Sequence, residues 1–341
     1  MFGGFIGFTY LCRLMKPTND LNIRKSVALL VLAATFAACS GDSTDTPANG
    51  YNDGPTNPSG EAGEIRVNAD VFQMMDGTRT TTYDSPTAIQ TEGNSFICTA
   101  YNEGTTAYNT TSNVNESQVN WNGSSWAFAD GSHNWPESGS LDFFAYMPAT
   151  KPDGMPVTKP DYITAITYAV VDENPRPYFT CDMTKTVETE FIYALAPGQN
   201  RAANISGVNL AFCHPFARIY FQLSEASGTS VKINSITISG EDFYKTGTCT
   251  FNGTTSTWSS LGGASALGTL AINTPYIVIP NDYGSSKTIT VNASWDNNKT
   301  NFSITSSAVS INWQTGYSYT YTLTLSKYAL EVNTSKYTEQ W

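Results

Sequence analysis

The chain has 341 residues, with 18 Lys and Arg against 29 Asp and Glu, a formal net charge of −11. Its 14% charged and 13% aromatic residues are the composition of a core-forming chain rather than a disordered one. A negative chain without a Lys/Arg cluster excludes nucleic acid as a partner. Its two histidines, His133 and His214, leave little material for a metal centre or a catalytic base. The sequence therefore reads as non-enzymatic, with no cofactor and no metal.

Taken in chain order, residues 1–38 read as an export signal. Lys16, Arg24 and Lys25 follow Met15 as a basic region, and Ser26–Ala38 is an apolar run too short to span a bilayer. The first 14 residues sit awkwardly before this pattern, so Met15 is read as the true start, with an extended basic region as the alternative. Phe36-Ala37-Ala38-Cys39 resembles a bacterial lipobox and marks Cys39 for lipidation. An ordinary secretory signal cut at Ala38 is the competing reading. Residues 1–38 hold four basic and one acidic residue, so their removal leaves the chain more negative still. Attachment to a membrane would then come from lipid, not from a basic patch. Residues 39–63 comprise the lipidated Cys and a Gly/Pro/Ser/Asn-rich tether.

Beyond the tether, period-two alternation dominates. Ile65, Val67, Ala69 and Val71 alternate with Arg66, Asn68 and Asp70 as a half-buried strand. Strands follow at Ser95–Tyr101, a hairpin turning at Asn122-Gly123, Leu141–Tyr146, Tyr162–Val171 and Phe191–Leu195. Pro197–Ala203 reads as a linker. Further strands are expected at Val208–Phe212, Ala217–Leu223, Val231–Ser239, Gly247–Phe251, Tyr276–Ile279, Thr288–Trp295, Phe302–Ser306 and Tyr317–Leu325. In the last, Tyr317, Tyr319, Tyr321, Leu323 and Leu325 share one face, opposite Ser318, Thr320, Thr322 and Thr324. The fold class is all-β: two tandem β-sandwiches, 64–197 and 203–341, after the signal and tether.

Sites of chemistry are few. Cys98, Cys181, Cys213 and Cys249 form no CxxC pair; they are buried free thiols or one of three disulfide pairings. Cys213 and His214 are adjacent strand residues whose side chains diverge, which argues against a catalytic pair. His133 lies in a turn with Asp130, a poor metal site. Asn281–Gly284 and Asp296–Asn298 read as turns rather than calcium loops. The aromatic excess suits a sandwich core better than a glycan surface.

Several blocks in order resemble the fimbrillin family, the subunits of type V pili. They are the lipobox, tether and first strand, then Gly77-Thr78-Arg79-Thr80, the tryptophans Trp121 and Trp126, Leu141–Pro148, and Phe191–Ala194. Val208–Phe221, Ile311–Tyr319 and the terminal Trp341 complete the set. The resemblance implies two transthyretin-like sandwiches and a structural pilin exported as an outer-membrane lipoprotein precursor, with the mature form in a surface fimbria serving adhesion. It implies that an arginine-specific protease cuts at Arg79, with Arg66 as a less accessible alternative, and removes the first strand. The vacated groove then takes a strand from another pilin subunit. Leu330–Trp341, with Leu330, Val332, Tyr337 and Trp341 as anchors, is the expected donor, with an edge strand of its own C-terminal sandwich as the alternative. A host glycan or matrix protein is a further partner. The alternative is an unprocessed, lipid-tethered binding module for glycan or matrix.

Overall fold

In the computed structural model the described residues are 63–71, 86–91, 93–102, 114–151, 155–171, 174–187, 189–224, 231–252, 255–295, 300–326 and 329–337, all within the unit Pro58–Trp341. The signal, residues 39–62 with Cys39, Arg79, Asp296–Asn298 and Trp341 lie outside them.

Among the described residues the first half runs β1 (Val67–Val71), the short helix α1 (Pro86–Ile89), β2 (Ser95–Asn102), β3 (Ser117–Trp121), β4 (Trp126–Phe128), β5 (Leu141–Met147), β6 (Ile163–Val171), β7 (Asn174–Asp182) and β8 (Ile192–Gln199). The second half runs β9 (Val208–Phe212), β10 (Ala217–Ser224), β11 (Val231–Ile238), β12 (Thr246–Asn252), β13 (Thr255–Gly262), β14 (Pro275–Val278) and β15 (Asn281–Lys287). It ends with β16 (Ile289–Trp295), β17 (Thr300–Thr305), β18 (Val309–Trp313), β19 (Ser318–Leu325) and β20 (Leu330–Tyr337). The sheets are β4-β3-β2-β5-β8, β13-β12-β7-β6, β14-β10-β19-β20 and β11-β16-β17, with the two-stranded pairs β1-β9 and β15-β18. The chain is all-β and packs its sheets face to face as β-sandwiches.

The central sheet explains the longest apolar runs. Every residue of β5 is buried. Leu141, Phe143, Ala145 and Met147 enter a first core, and Phe144 and Tyr146 enter a middle core on the opposite face. Strand β8 divides likewise, with Ile192, Ala194 and Ala196 on one side and Tyr193 and Leu195 on the other. A sheet covered on both faces needs apolar residues at both parities, which is why these strands lose the polar half of the alternation. Asp142, buried in β5, is satisfied by the Gly198 amide at 2.7 Å. A last core forms from β10, β11, β14, β16, β18 and β19, with Phe221 stacked on Tyr321 at 5.1 Å and the Trp313 indole donating to the Tyr321 hydroxyl at 2.9 Å.

Four strands go beyond the sequence reading. β7 begins Asn174-Pro-Arg-Pro177, and its two prolines masked it. β13 and β18 were not expected, and β15 includes the Asn281–Gly284 stretch expected as a turn. The Asp282 carboxylate there accepts the Gly284 amide at 2.9 Å, and irregular pairing with β18 absorbs the turn. Pro197–Ala203 carries the end of β8 and one 3-10 turn, capped by the Asn200 side chain. In β19 both parities are buried at the start, Ser318 and Thr320 included, and the Arg218 guanidinium of β10 donates to the Ser318 hydroxyl at 3.1 Å.

The tail, expected as a donor or as an edge strand of its own sandwich, lies at the edge of its own sheet in this chain. Leu330–Tyr337 pairs antiparallel with Ser318–Leu325 along its whole length, as the edge of its own sheet. The Ser326 amide and the Ala329 carbonyl, 2.9 Å apart, close the hairpin. Its side-chain anchoring is thin: Leu330 is buried, Val332 half-buried, and the residues from Asn333 to Lys336 exposed. Deleting Leu330–Trp341 should therefore lower the melting temperature of the monomer. Losing one buried Leu costs about 1.5–3 kcal/mol. At about 2–4 °C per kcal/mol for a chain of this size, a fall of roughly 3–12 °C is expected by circular dichroism.

Candidate functional site: the first strand and its groove

The first strand is where sequence pattern and packing meet most directly. Its alternation turns Ile65, Val67 and Ala69 inward, at 1%, 3% and 4% exposure, beside Val208, Leu210 and Phe212. β1 and β9 pair in parallel, from Val67 opposite Val208 to Val71 opposite Phe212. β9 is the one sheet partner of β1 among the described residues. Phe212 packs edge-on against Phe96 at 5.4 Å, and Phe96 in turn meets Trp126 at 4.8 Å, so the groove floor is aromatic and rigid.

The two strands approach closely at one end. Gly207 sits at φ +114°, in the left-handed half of backbone space, and a Cβ there would lie 3.3 Å from the Arg66 carbonyl. The Val208 amide donates to that carbonyl at 2.8 Å, and the Asn68 amide group donates to the Ser206 carbonyl at 3.2 Å.

A loop, Asp130–Trp135, clamps the N-terminal end of β1. The Ile65 amide donates to the His133 carbonyl at 2.6 Å, and the Trp135 amide donates to the Gly63 carbonyl at 2.7 Å. The Ser132 hydroxyl donates to the Glu64 carboxylate at 2.8 Å, which also takes the Arg66 guanidinium at 3.3 Å. Asp130 braces the loop from behind, accepting the Ser117 hydroxyl at 2.7 Å and lying 2.9 Å from His133 Nε2. Burial pushes the Asp130 carboxyl up, but the hydrogen bonds from Ser117 and His133 outweigh it and hold the group below its ordinary range.

Ser117, His133 and Asp130 invite comparison with a hydrolytic triad, and the geometry rejects it. Both Ser117 and Asp130 reach the same ring nitrogen, Nε2, whereas a relay needs the carboxylate on Nδ1. His214 is buried and its Nδ1 lies 2.6 Å from Glu190 Oε1, so its partner is a carboxylate from the segment before β8 and not Cys213. The cysteines Cys98, Cys181, Cys213 and Cys249 are free thiols. Burial pushes the Cys213 thiol up to about 11 and Cys181 to about 12, away from nucleophilic character. Among the described residues no group of His, Cys, Asp and Glu could hold a metal, and no helix is long and apolar enough to cross a membrane.

Of the predicted processing residues, Cys39 and Arg79 lie outside the described residues. Arg66 is held in the β1–β9 junction by its carbonyl and its Glu64 contact. The clamp at Asp130–Trp135 escaped the sequence reading; it had been assigned only a turn, since nothing local ties residue 133 to residue 65.

The profile of the fimbrillin-like family matches residues 78–341. No curated protein matches the chain. Among solved structures, a fimbrial protein from Bacteroides vulgatus is similar at 16% identity and a TM-score of 0.52, covering 82% of this chain and 99% of that one. A candidate cell adhesion protein from Bacteroides ovatus is similar at 15% identity and a TM-score of 0.51, covering 82% and 97%. At such identity the likeness is one of fold. The family is structural and non-enzymatic. With that profile spanning the greater part of its length, the chain belongs to the fimbrillin-like family.

Proposed function

We propose that the chain is a pilin, a subunit of a cell-surface fimbria that serves adhesion and assembles by exchanging its first strand for one from a neighbour. The observation that carries this reading is β1. It fills the first core with Ile65, Val67 and Ala69, yet its only sheet partner among the described residues is β9, and Arg79 follows eight residues after Val71. On this reading Cys39 carries lipid in the outer-membrane precursor, and cleavage at Arg79 frees β1. Loss of β1 bares Val208, Leu210 and Phe212 and a row of unpaired β9 backbone groups. A replacement strand regains about 0.5–1.5 kcal/mol per main-chain hydrogen bond. It regains a further ~1.5–3 kcal/mol per large apolar side chain.

The tail of the neighbouring subunit is the proposed donor. Leu330 and Val332 have the spacing of the β1 side chains they would replace, and β20 is held to its own sheet by few buried side chains. The reading keeps two tandem sandwiches, 64–197 and 203–341. Its support is the separation of the first and last cores, with β9 crossing to complete the first and the β12–β13 hairpin crossing to the sheet of β6 and β7.

Arg79→Ala should leave a longer protein that stays monomeric, since β1 still fills its groove. Size-exclusion chromatography and N-terminal sequencing of sheared surface filaments check this; normal filaments beginning at Thr80 from the variant would remove Arg79 from the mechanism. Asp130→Ala should loosen the clamp on β1, so the Ile65 amide exchanges faster with deuterium and the cleaved first strand leaves sooner. The sign for pH follows from the lowered Asp130 carboxyl. Its contribution is present above the ordinary carboxylate range of about 4 and is lost as pH falls through the folded value. Acid should therefore speed release more in the wild type than in Asp130→Ala. Cys39→Ala should abolish fatty-acid labelling of the precursor, measured by metabolic incorporation of labelled palmitate, and detach it from membranes, because one polar tether cannot hold it there.

A further inference from the structure

Between the middle and last cores lies a cleft of about 260 Å³ that strand exchange does not use. Phe243, Tyr283 and Trp313 floor it, and Tyr244, Tyr276 and Lys245 line it towards solvent. Tyr244 packs against both cores, and Tyr276 lies on β14, the edge strand of its sheet. The position at a seam between two cores is a usual one for a ligand site. Its volume is slightly under the ~300 Å³ at which pockets for drug-sized ligands begin, which suits a single ring.

The polar groups are few and unspent. The Tyr276 hydroxyl accepts the Ala271 amide at 2.7 Å, leaving its own proton to donate. Lys245 is half-buried and forms no ion pair with any described residue. The neighbouring Asp242 is committed to Lys287. Burial pulls the Lys245 ammonium below the usual lysine range, as expected of a cation losing water without gaining a counter-charge. Lys245 is thus a half-desolvated cation lining the same cleft as Tyr244 and Tyr276, a setting for an anion that also presents an apolar face.

We propose that this cleft binds one acidic sugar ring, its carboxylate on Lys245 and its C–H face against Tyr244 and Tyr276. A sugar, rather than another ring acid, follows from the adhesive role proposed above, and the inference rests on that reading for this point alone.

The test is a titration of the folded, full-length protein with glucuronate and with N-acetylneuraminate, followed by NMR and calorimetry, with glucose as the neutral counterpart and benzoate as the non-sugar ring acid. Saturable binding of an acidic sugar, no binding of glucose at the same concentration, and affinity about tenfold or more weaker in Lys245→Gln are expected for a lost charge-assisted contact. Lys245→Arg should retain most of the affinity. Should Lys245→Gln fail to fold, the wild type still decides, since binding through one cation weakens with added salt and is absent for glucose. Equal binding of glucose, no binding of either acidic sugar, an unchanged affinity in folded Lys245→Gln, or tighter binding of benzoate would each overturn the assignment. Filament formation is read separately. A protein that assembles but ignores acidic sugars overturns only the cleft, and one that binds them but never assembles overturns only the fimbrial reading.

Discussion

The parallel contact between β1 and β9 is the constraint on which the first core depends. Parallel strands need a long connection, and two-stranded parallel pairs are weak on their own. Here the pair is stable because Ile65, Val67 and Ala69 are sealed against Phe96, Phe143 and Phe212, and because the Asp130–Trp135 loop caps one end. The hydrophobic contacts and the main-chain ladder are thus concentrated in a segment joined to the domain at one point. The sheet β4-β3-β2-β5-β8 has its own pairing, which does not include this segment.

The middle core gives that sheet its rigidity. Tyr193 stacks on Phe251 at 3.5 Å, and Phe179 contacts Phe191, Phe216, Phe251 and Trp258 within 5.7 Å. These rings come from strands before and after residue 200, so the middle core ties the two halves of the chain through side chains as the sheet β13-β12-β7-β6 does through backbone. Aromatic faces meeting in tilted and edge-on pairs specify one packing more narrowly than aliphatic contacts do. The face of the central sheet that packs against β1 is therefore backed by a surface with little freedom to collapse.

Most strands were legible because alternation is a local property. Val208–Phe212 and the Asn122-Gly123 hairpin stand where periodicity and turn chemistry put them. Alternation failed where burial is two-sided or where side chains mislead. The start of β19 buries Ser318 and Thr320, and the Ser318 hydroxyl there accepts from Arg218 of the neighbouring strand. β7 holds two prolines and β15 an Asp-Tyr-Gly turn signal, and in both the pairing with neighbours overrides the local preference. The site was legible in half. The apolar face of β1 is plain in the sequence, whereas the clamp around His133 and the cleft at Lys245 join residues far apart in the chain, which no window of sequence can reveal.

The long span between partners also orders events in time. Asn68 meets Ser206 across 138 positions, and Arg218 meets Ser318 across 100. Contacts so distant in sequence slow folding, because the loop must close before any pairing rewards it. Strand β1 is made well before its sheet partner β9, so during synthesis it waits as an unpaired apolar segment. Among the described strands it is the one that waits longest for a partner.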